Sequence, residues 1–529
     1  MNARRARRTA LAVLAAVATS LPSSAEPDEE PFAVQLFAQE GRTTAAELAD
    51  FDGDGRGDLF RTVFSGRPGQ EQRELEIYFQ REDGDLPNAA DYRALLPPGA
   101  AAYDFAELDA QAGCELLFLA RESIAVLSFA GRRVAARDFA LPGPSIGVIA
   151  DERGIDRLLL VRGGLGPQVR LLVPGLAEAF LLSADGALVA RIATGARANY
   201  FLPPRDGPSA SESEAELYFD TPRFAVADVD GDGRGDIAAS SRYAIHIFPQ
   251  RADGGFGATA DPLLRLSLIE PEDFVRQSGS VRAEIEDLDG DGRADLLLSH
   301  TRGGLLGATT STLLFRNRNG SFDLSRPDQR LDSGGKGTVT HQILDLDADG
   351  RPELLEARIP LGPLDLVGFL VTRHLDAEVA IRRALPPGSR AELFESEPSF
   401  ERDVRVAISF ETMRPRGFIP TFNADLTGDG TLDLLSAGDG EALEIFSGAG
   451  DGAYRRRSAR QELDTNGRIR FGRLHAGGLT DFVIYDARRP ESSVRVGRNR
   501  GLLRLGSMAT DATLRAKPEP ESASPPSTP

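Results

Sequence analysis

Five times along this chain of 529 residues one short grammar returns: acids at positions 1, 3, 5 and 9, a glycine at 6, then an apolar run. The copies are "DFDGDGRGDL" from Asp50, "DVDGDGRGDI" from Asp228, "DLDGDGRADL" from Asp287, "DLDADGRPEL" from Asp345 and "DLTGDGTLDL" from Asp425, the last with Thr427 at position 3. Carboxylates crowded this tightly repel one another, so the stretch is either a solvated charged loop or the holder of a cation. A solvated run has no reason to keep its register through five copies.

The cation reading has a mechanical basis. In a tight loop, side chains at 1, 3 and 5 converge on one point, and glycine at 6 permits a turn with positive φ. The carbonyl of residue 7 turns inward and the acid at 9 closes the shell. Hard oxygen ligands in this number suit Ca²⁺ rather than Zn²⁺, and Mg²⁺ demands a stricter octahedron. The expected ligand sets are Asp50, Asp52, Asp54 and Asp58 with the carbonyl of Arg56, then Asp228, Asp230, Asp232 and Asp236 with that of Arg234. Next come Asp287, Asp289, Asp291 and Asp295 with Arg293, and Asp345, Asp347, Asp349 and Glu353 with Arg351. Asp425, Thr427, Asp429 and Asp433 with Thr431 form the fifth, least charged and therefore weakest set. Extracellular calcium modules bind with a Kd of about 10⁻⁴–10⁻³ M, the range expected here.

An EF-hand would need an acid at position 12 and flanking helices. Position 12 is Arg61, Ala239, Leu298, Glu356 and Ser436, and strand-like residues follow each loop. EF-hands are excluded.

Degenerate copies begin at Glu107, Asp151 and Arg473, and an apolar strand with a turn recurs after each loop. Starts at 50, 107, 151, 228, 287, 345, 425 and 473 make eight units spaced near 60 residues. About four short strands per unit at such a period indicate a propeller rather than a solenoid.

On these motifs the chain resembles the FG-GAP/VCBS repeat family, whose calcium-bearing blades also build integrin α-subunit propellers. The resemblance implies an all-β fold, a single β-propeller of seven to eight four-stranded blades with calcium loops between blade strands. The count of units favours eight. The propeller is expected over residues 32–515, with "PFAVQLFAQ" supplying an outer strand to the last repeat and closing the ring. The units at 107, 151 and 473 lack a full ligand set and are not assumed to bind metal.

Residues 1–25 read as a signal peptide: Arg4, Arg5, Arg7 and Arg8 precede an apolar "TALAVLAAVATSL", and "SSA" ends at Ala25. An exported chain, extracellular or periplasmic, is expected, with 26–31 a linker and the Pro/Ser-rich 516–529 a disordered tail. Removing residues 1–25, with four arginines and no acids, takes the formal charge from −19 to −23. Such a chain is a poor nucleic-acid binder. Cys114 is the only cysteine, so no intrachain disulfide can staple the loops, and about five structural Ca²⁺ are expected to do so instead.

Other motifs read as structural. "RGD" at 56–58 and 234–236 ends on position-9 acids that should point inward, and "GPSIG" around Ser145 lacks the strand–turn–helix of a nucleophile elbow. None of the histidines at 246, 300, 341, 374 and 475 pairs visibly with a serine or carboxylate. "GGKGT" (334–338) lacks phosphate-loop spacing, and Cys114 reads as a small buried residue. Two long insertions, one carrying "RDGPSASESEAEL" and one spanning 373–416, read either as solvated ornament or as the long loops on a rigid scaffold where binding usually resides. The function expected is a non-catalytic binding or adhesion scaffold for a protein or glycan partner, of unspecified oligomeric state and with no membrane-spanning segment in the mature chain. The alternatives are a propeller-type polysaccharide lyase, for which no base stands out, and a lectin, which the absence of tryptophan weakens.

Overall fold

The computed structural model describes residues 30–503 apart from 39–40, 68–69, 148–153, 167, 202–215, 269–278, 304–307, 333–336, 361–367, 370–371, 373, 387–391, 410–413, 451, 456–458, 476–477 and 490–491. The export segment, most of the 26–31 linker, the tail, Asp151 and most of "GGKGT" therefore lie outside the described residues.

Each acidic loop ends where an apolar run begins, and that run becomes the second strand of an antiparallel sheet. Blade 1 has strands Arg42–Ala49, Asp58–Ser65, Gln72–Tyr78 and Tyr92–Leu95 in that spatial order. Blade 2 has Ala102–Ala106, Glu115–Leu119, Ser123–Ser128 and Ala135–Ala140. Blade 3 has Val161–Arg162, Arg170–Pro174, Ala179–Ser183 and Leu188–Ile192. Blade 4 has Arg223–Ala227, Asp236–Ser240, Ala244–Phe248 and Leu263–Arg265. Blade 5 has Ser280–Glu286, Asp295–Arg302, Thr309–Phe315 and Gln329–Asp332. Blade 6 begins with Gly337–Leu344, Glu353–Pro360, His374–Arg382 and Phe400–Ser409. Blade 7 has Thr421–Ala424, Asp433–Ser436, Ala442–Phe446 and Ala459–Glu462. Blade 8 takes Arg468–Gly472, Asp481–Tyr485 and Val494–Asn499 from the C-terminal end, and its fourth strand, Phe32–Phe37, from the N-terminal end.

That last pairing, Phe32↔Asn499 through Phe37↔Val494, closes the ring as the sequence implied. It is reinforced across to blade 7, where the Gln461 side chain accepts from the Phe32 N–H and donates to the Phe32 carbonyl, each at 3.0 Å.

Eight apolar clusters fill the interfaces between successive blades, one per interface among the described residues. Alternation within second strands explains them: Leu116 and Phe118 pack toward blade 1, while Leu117 and Leu119 pack toward blade 3. A strand covered on both faces has to be apolar throughout, and Glu115–Leu119 is buried at every residue.

The eight blades have the expected four strands, to which Asp156–Arg157 adds a short parallel strand beside the first of blade 2 and Arg414–Pro415 one beside the last of blade 6. One expectation is corrected. The interstrand loop of the third unit lies at 163–169, within "GGLGPQV", and not near Asp151; sequence alone placed it by its acids, and this loop has none. The first insertion contributes a separate hairpin, Arg197–Phe201 with Glu216–Asp220. The second lengthens the third and fourth strands of blade 6 to 9 and 10 residues.

Candidate metal centres in a ring of acidic loops

In seven blades the residue at position 9 pairs with the residue just before position 1, as in Asp58↔Ala49, Asp236↔Ala227, Asp295↔Glu286 and Asp481↔Gly472. Each of those loops is thus an eight-residue connection between the first and second strands. Glycine at 6 is left-handed as expected: φ is +84° at Gly55, +82° at Gly233, +85° at Gly292, +84° at Gly350 and +91° at Gly430. Position 4 is left-handed as well, which sequence reading missed. At Gly53 a Cβ would come within 2.3 Å of the Ala112 carbonyl oxygen.

Position 1 shapes the loop. Asp50 accepts the N–H groups of Gly53 at 2.7 Å and Gly55 at 2.8 Å, and Asp228 and Asp287 repeat this with Gly231, Gly233, Gly290 and Gly292. Position 9 ties the loop to the sheet. One oxygen of Asp58 accepts from Phe51 N at 2.9 Å and the other from Gln80 N, also at 2.9 Å. Asp236 does this with Val229 and Gln250, Asp433 with Leu426 and Gly448, and Asp481 with Leu474 and Asn499. These acids are essentially buried, Asp58, Asp236 and Asp433 at 0 % exposure, so neither "RGD" aspartate faces solvent.

The loops also hold one another. The position-8 N–H of one loop donates to a carbonyl of the preceding loop: Gly57 to Leu474, Cys114 to Asp50, Ala294 to Asp228 and Leu432 to Leu346, at 2.7–3.1 Å. Asn317 and Asn499 add side-chain bonds to the Val229 and Leu426 carbonyls. Cys114 is half-buried at one of these junctions, and burial pushes its thiol up to about 12, which leaves it inert.

Four loops bring three carboxylate oxygens within 4.8 Å of one another: Asp50, Asp52 and Asp58; Asp228, Asp230 and Asp236; Asp287, Asp289 and Asp291; and Asp345, Asp347 and Glu353. No such trio forms in 425–433 among the described residues, where Thr427 replaces an acid. The position-5 acid joins only in blade 5. In blades 1, 4 and 6 it is turned away by the position-7 arginine, as Asp54–Arg56, Asp232–Arg234 and Asp349–Arg351. In blade 5 the corresponding Arg293 donates to Asn319 Oδ1 instead, at 2.9 Å, which frees Asp291. Asp295 meanwhile stays outside the trio, bonded to Leu288 N and Asn317 N.

The donor set fits a hard divalent cation. Asp289 is 5 % exposed and its Oδ1 has no hydrogen-bond partner, the kind of buried orphan oxygen that a cation would satisfy. Burial pushes Asp58, Asp295, Glu353 and Asp433 up to about 7, against the pull of their backbone donors and with help from neighbouring acids.

Blade 1 departs from this pattern in a way no local motif signals. Arg132, from the turn after the third strand of blade 2, donates from Nε to Asp52 Oδ2 at 2.7 Å and from Nη2 to the Gln80 carbonyl at 3.0 Å. Its guanidinium already offsets one of the negative charges of this trio, at Asp52. Arg132→Gln is expected to raise the calcium affinity of loop 50–58 about tenfold, adding one ion per chain in equilibrium dialysis; an unchanged count would show that the arginine does not compete.

Two other readings are resolved. Ser145, 1 % exposed, donates to the Ala120 carbonyl at 2.8 Å and accepts from Gly147 N at 2.9 Å, which makes it a turn lock. His341, in contrast, does have serine and carboxylate partners: Ser299 Oγ lies 3.0 Å from Nδ1, and Thr312 Oγ1 and Glu356 Oε1 lie 2.7 and 3.2 Å from Nε2. All four residues are buried between blades 5 and 6, so this polar clip joins blades, and of the four only Glu356 borders a cleft. Beside it, the lengthened strands of blade 6 wall a cleft of about 320 Å³ lined by Glu356, Arg358, Glu378, Arg382 and Arg402.

A family model of FG-GAP-like repeats matches residues 228–298 and 287–356, a stretch that carries the acidic loops of blades 4, 5 and 6. No curated protein matches the chain. Among solved structures, an Agrocybe aegerita lectin described as recognising non-reducing terminal N-acetylglucosamine is 15 % identical over 88 % of this chain and 95 % of its own, with a TM-score of 0.35. Sqt1 from Chaetomium thermophilum is 10 % identical over 88 % and 98 %, TM-score 0.43, and the Dos1 propeller 7 % identical over 89 % and 96 %, TM-score 0.35. Likenesses this distant carry no argument about function.

Proposed function

The chain is a β-propeller carrying FG-GAP-like repeats, and from that premise we propose that it is an exported binding scaffold whose acidic loops hold structural Ca²⁺. The observation that carries the metal reading is the return of a converged carboxylate trio at the same place in four blades, one with a buried orphan oxygen. Loops 228–236, 287–295 and 345–353 are the principal sites; 50–58 is weakened by Arg132 and 425–433 by Thr427. Bound calcium would supply positive charge that offsets the repulsion within each trio, and the residues themselves fix the loop through their backbone bonds. The scaffold reading extends to a protein or glycan partner, with contact placed at the long strands and cleft of blade 6, where the repeat is most elaborated. No helix among the described residues is long and apolar enough to cross a membrane.

Protons compete with the metal. Acids raised to about 7 are partly protonated at neutrality, so calcium has to displace protons from them. Affinity should therefore rise from pH 6 to pH 8 and fall on acidification, as calcium titrations at fixed ionic strength would show. A flat profile would contradict proton competition. The scaffold reading is tested by glycan-array and partner binding with and without EGTA, alongside an assay for unsaturated uronate. Polysaccharide cleavage would replace the scaffold with the lyase.

A further inference from the structure

Blade 3 inverts the chemistry of the ring. From Arg157 to Ala177 the chain has three arginines and no acid, within a protein of formal charge −19. Its loop is one residue shorter than the others, and Arg170 stands where they place the closing acid. Arg162 and Arg170 are direct cross-strand partners, so their side chains leave the same face of the hairpin. Like charges so placed repel each other. Neither residue has an ion pair or side-chain hydrogen bond among the described residues, and Nε of each is buried without a partner. Most arginines near the loops of this chain are, in contrast, paired to carboxylates.

The one acid that acts on Arg162 is Asp104, and it is already spent. Its oxygens accept from Leu160 N at 2.8 Å, Val161 N at 3.0 Å and Arg157 Nε at 3.0 Å. Burial pushes the Arg162 guanidinium below its ordinary range, a sign of charge without compensation. Between the two arginines runs an exposed glycine-rich turn. Gly163 and Gly166 face open space where a Cβ would be, and the N–H groups of Gly163, Gly164 and Gly166 donate to no protein group among the described residues. The Gly164 carbonyl packs under Gly235 of the blade 4 loop, so the turn holds its place in the ring.

We propose that the hairpin of blade 3 is an oxyanion-binding site, in which Arg162, Arg170 and the turn 163–166 take the carboxylate, sulfate or phosphate group of a ligand. Guanidinium groups supply charge-assisted bonds to such a group, and free glycine N–H groups can approach it closely because no side chain intervenes. The site lies on the same side of the ring as the acidic loops but needs no metal.

The test uses the mature chain without added calcium, which the site does not need and which would precipitate with phosphate. Sodium sulfate, sodium phosphate and sodium glucuronate are titrated calorimetrically against chloride at constant ionic strength. One saturable site is expected for at least one probe, and the tightest probe identifies the source of the oxyanion. Arg162→Gln and Arg170→Gln should each weaken it about tenfold or more. A folding control separates loss of the site from loss of structure. In chloride the Arg170→Gln unfolding midpoint should equal or exceed that of the wild type, because a like-charge pair has been removed. Failure of all three probes to bind the wild type would overturn the proposal. So would unchanged binding in a folded Arg162→Gln/Arg170→Gln double variant.

Discussion

Stripping calcium from the mature chain with EGTA should lower its unfolding midpoint by on the order of 10 °C. With free calcium near a hundred times Kd, each filled site stabilises the folded state by about 2.7 kcal/mol. Three principal sites together supply about 8 kcal/mol, and a chain of this size shifts by about 1–2 °C per kcal/mol, since domains half as large shift by about 2–4 °C. The loss should be cooperative across blades. Each loop donates to its neighbour's backbone, as Ala294 does to Asp228 and Leu432 to Leu346, so a loosened loop loses a contact on either side. Differential scanning calorimetry with and without EGTA checks this; identical traces would mean that the trios contribute nothing through metal.

The second large effect concerns a blade with no ligand set. Asp481→Ala in blade 8 should cost about 3 kcal/mol, equally with calcium and with EGTA. Asp481 is 2 % exposed and accepts from Leu474 N at 2.6 Å and Asn499 N at 2.7 Å. Alanine would leave both N–H groups unpaired, that of Leu474 buried and that of Asn499 part-buried, at about 1–3 kcal/mol each, reduced by the relief of burying a charge. Asp289→Asn in blade 5 should show the opposite signature, destabilising only in calcium, because Asp289 Oδ1 serves no backbone group. Chemical denaturation of the two variants in both conditions separates the roles. A calcium-dependent cost for Asp481→Ala would make position 9 a ligand first and a strand tie second.

Much of this was legible in the chain because the loops carry local, periodic signals. The aspartates at 1, 3 and 5 and the glycine at 6 mark where a strand ends and the next begins, and Phe32–Phe37 announces itself as a strand without a loop of its own. What sequence could not show was set by contacts between distant residues. Arg132 lies 80 positions from Asp52, and nothing in "FAGRRV" points to a neighbouring blade's loop. His341 meets Ser299 and Glu356 only because two blades abut. The third loop escapes sequence for a different reason. Acids mark the other loops, and blade 3 substitutes arginine and glycine at the same place in the ring. The acid at position 9 shows only its ligand role in sequence, because a carboxylate's backbone partners leave no trace in composition.

Equilibrium dialysis against 1 mM ⁴⁵Ca²⁺, repeated on Asp230→Asn, Asp289→Asn and Asp347→Asn, tests the metal account most directly. With Kd of about 10⁻⁴ M at the principal loops, about three ions per chain should be retained. Each substitution should remove about one of them. Retention of no calcium at 1 mM, or three variants that all bind as the wild type does, would contradict it.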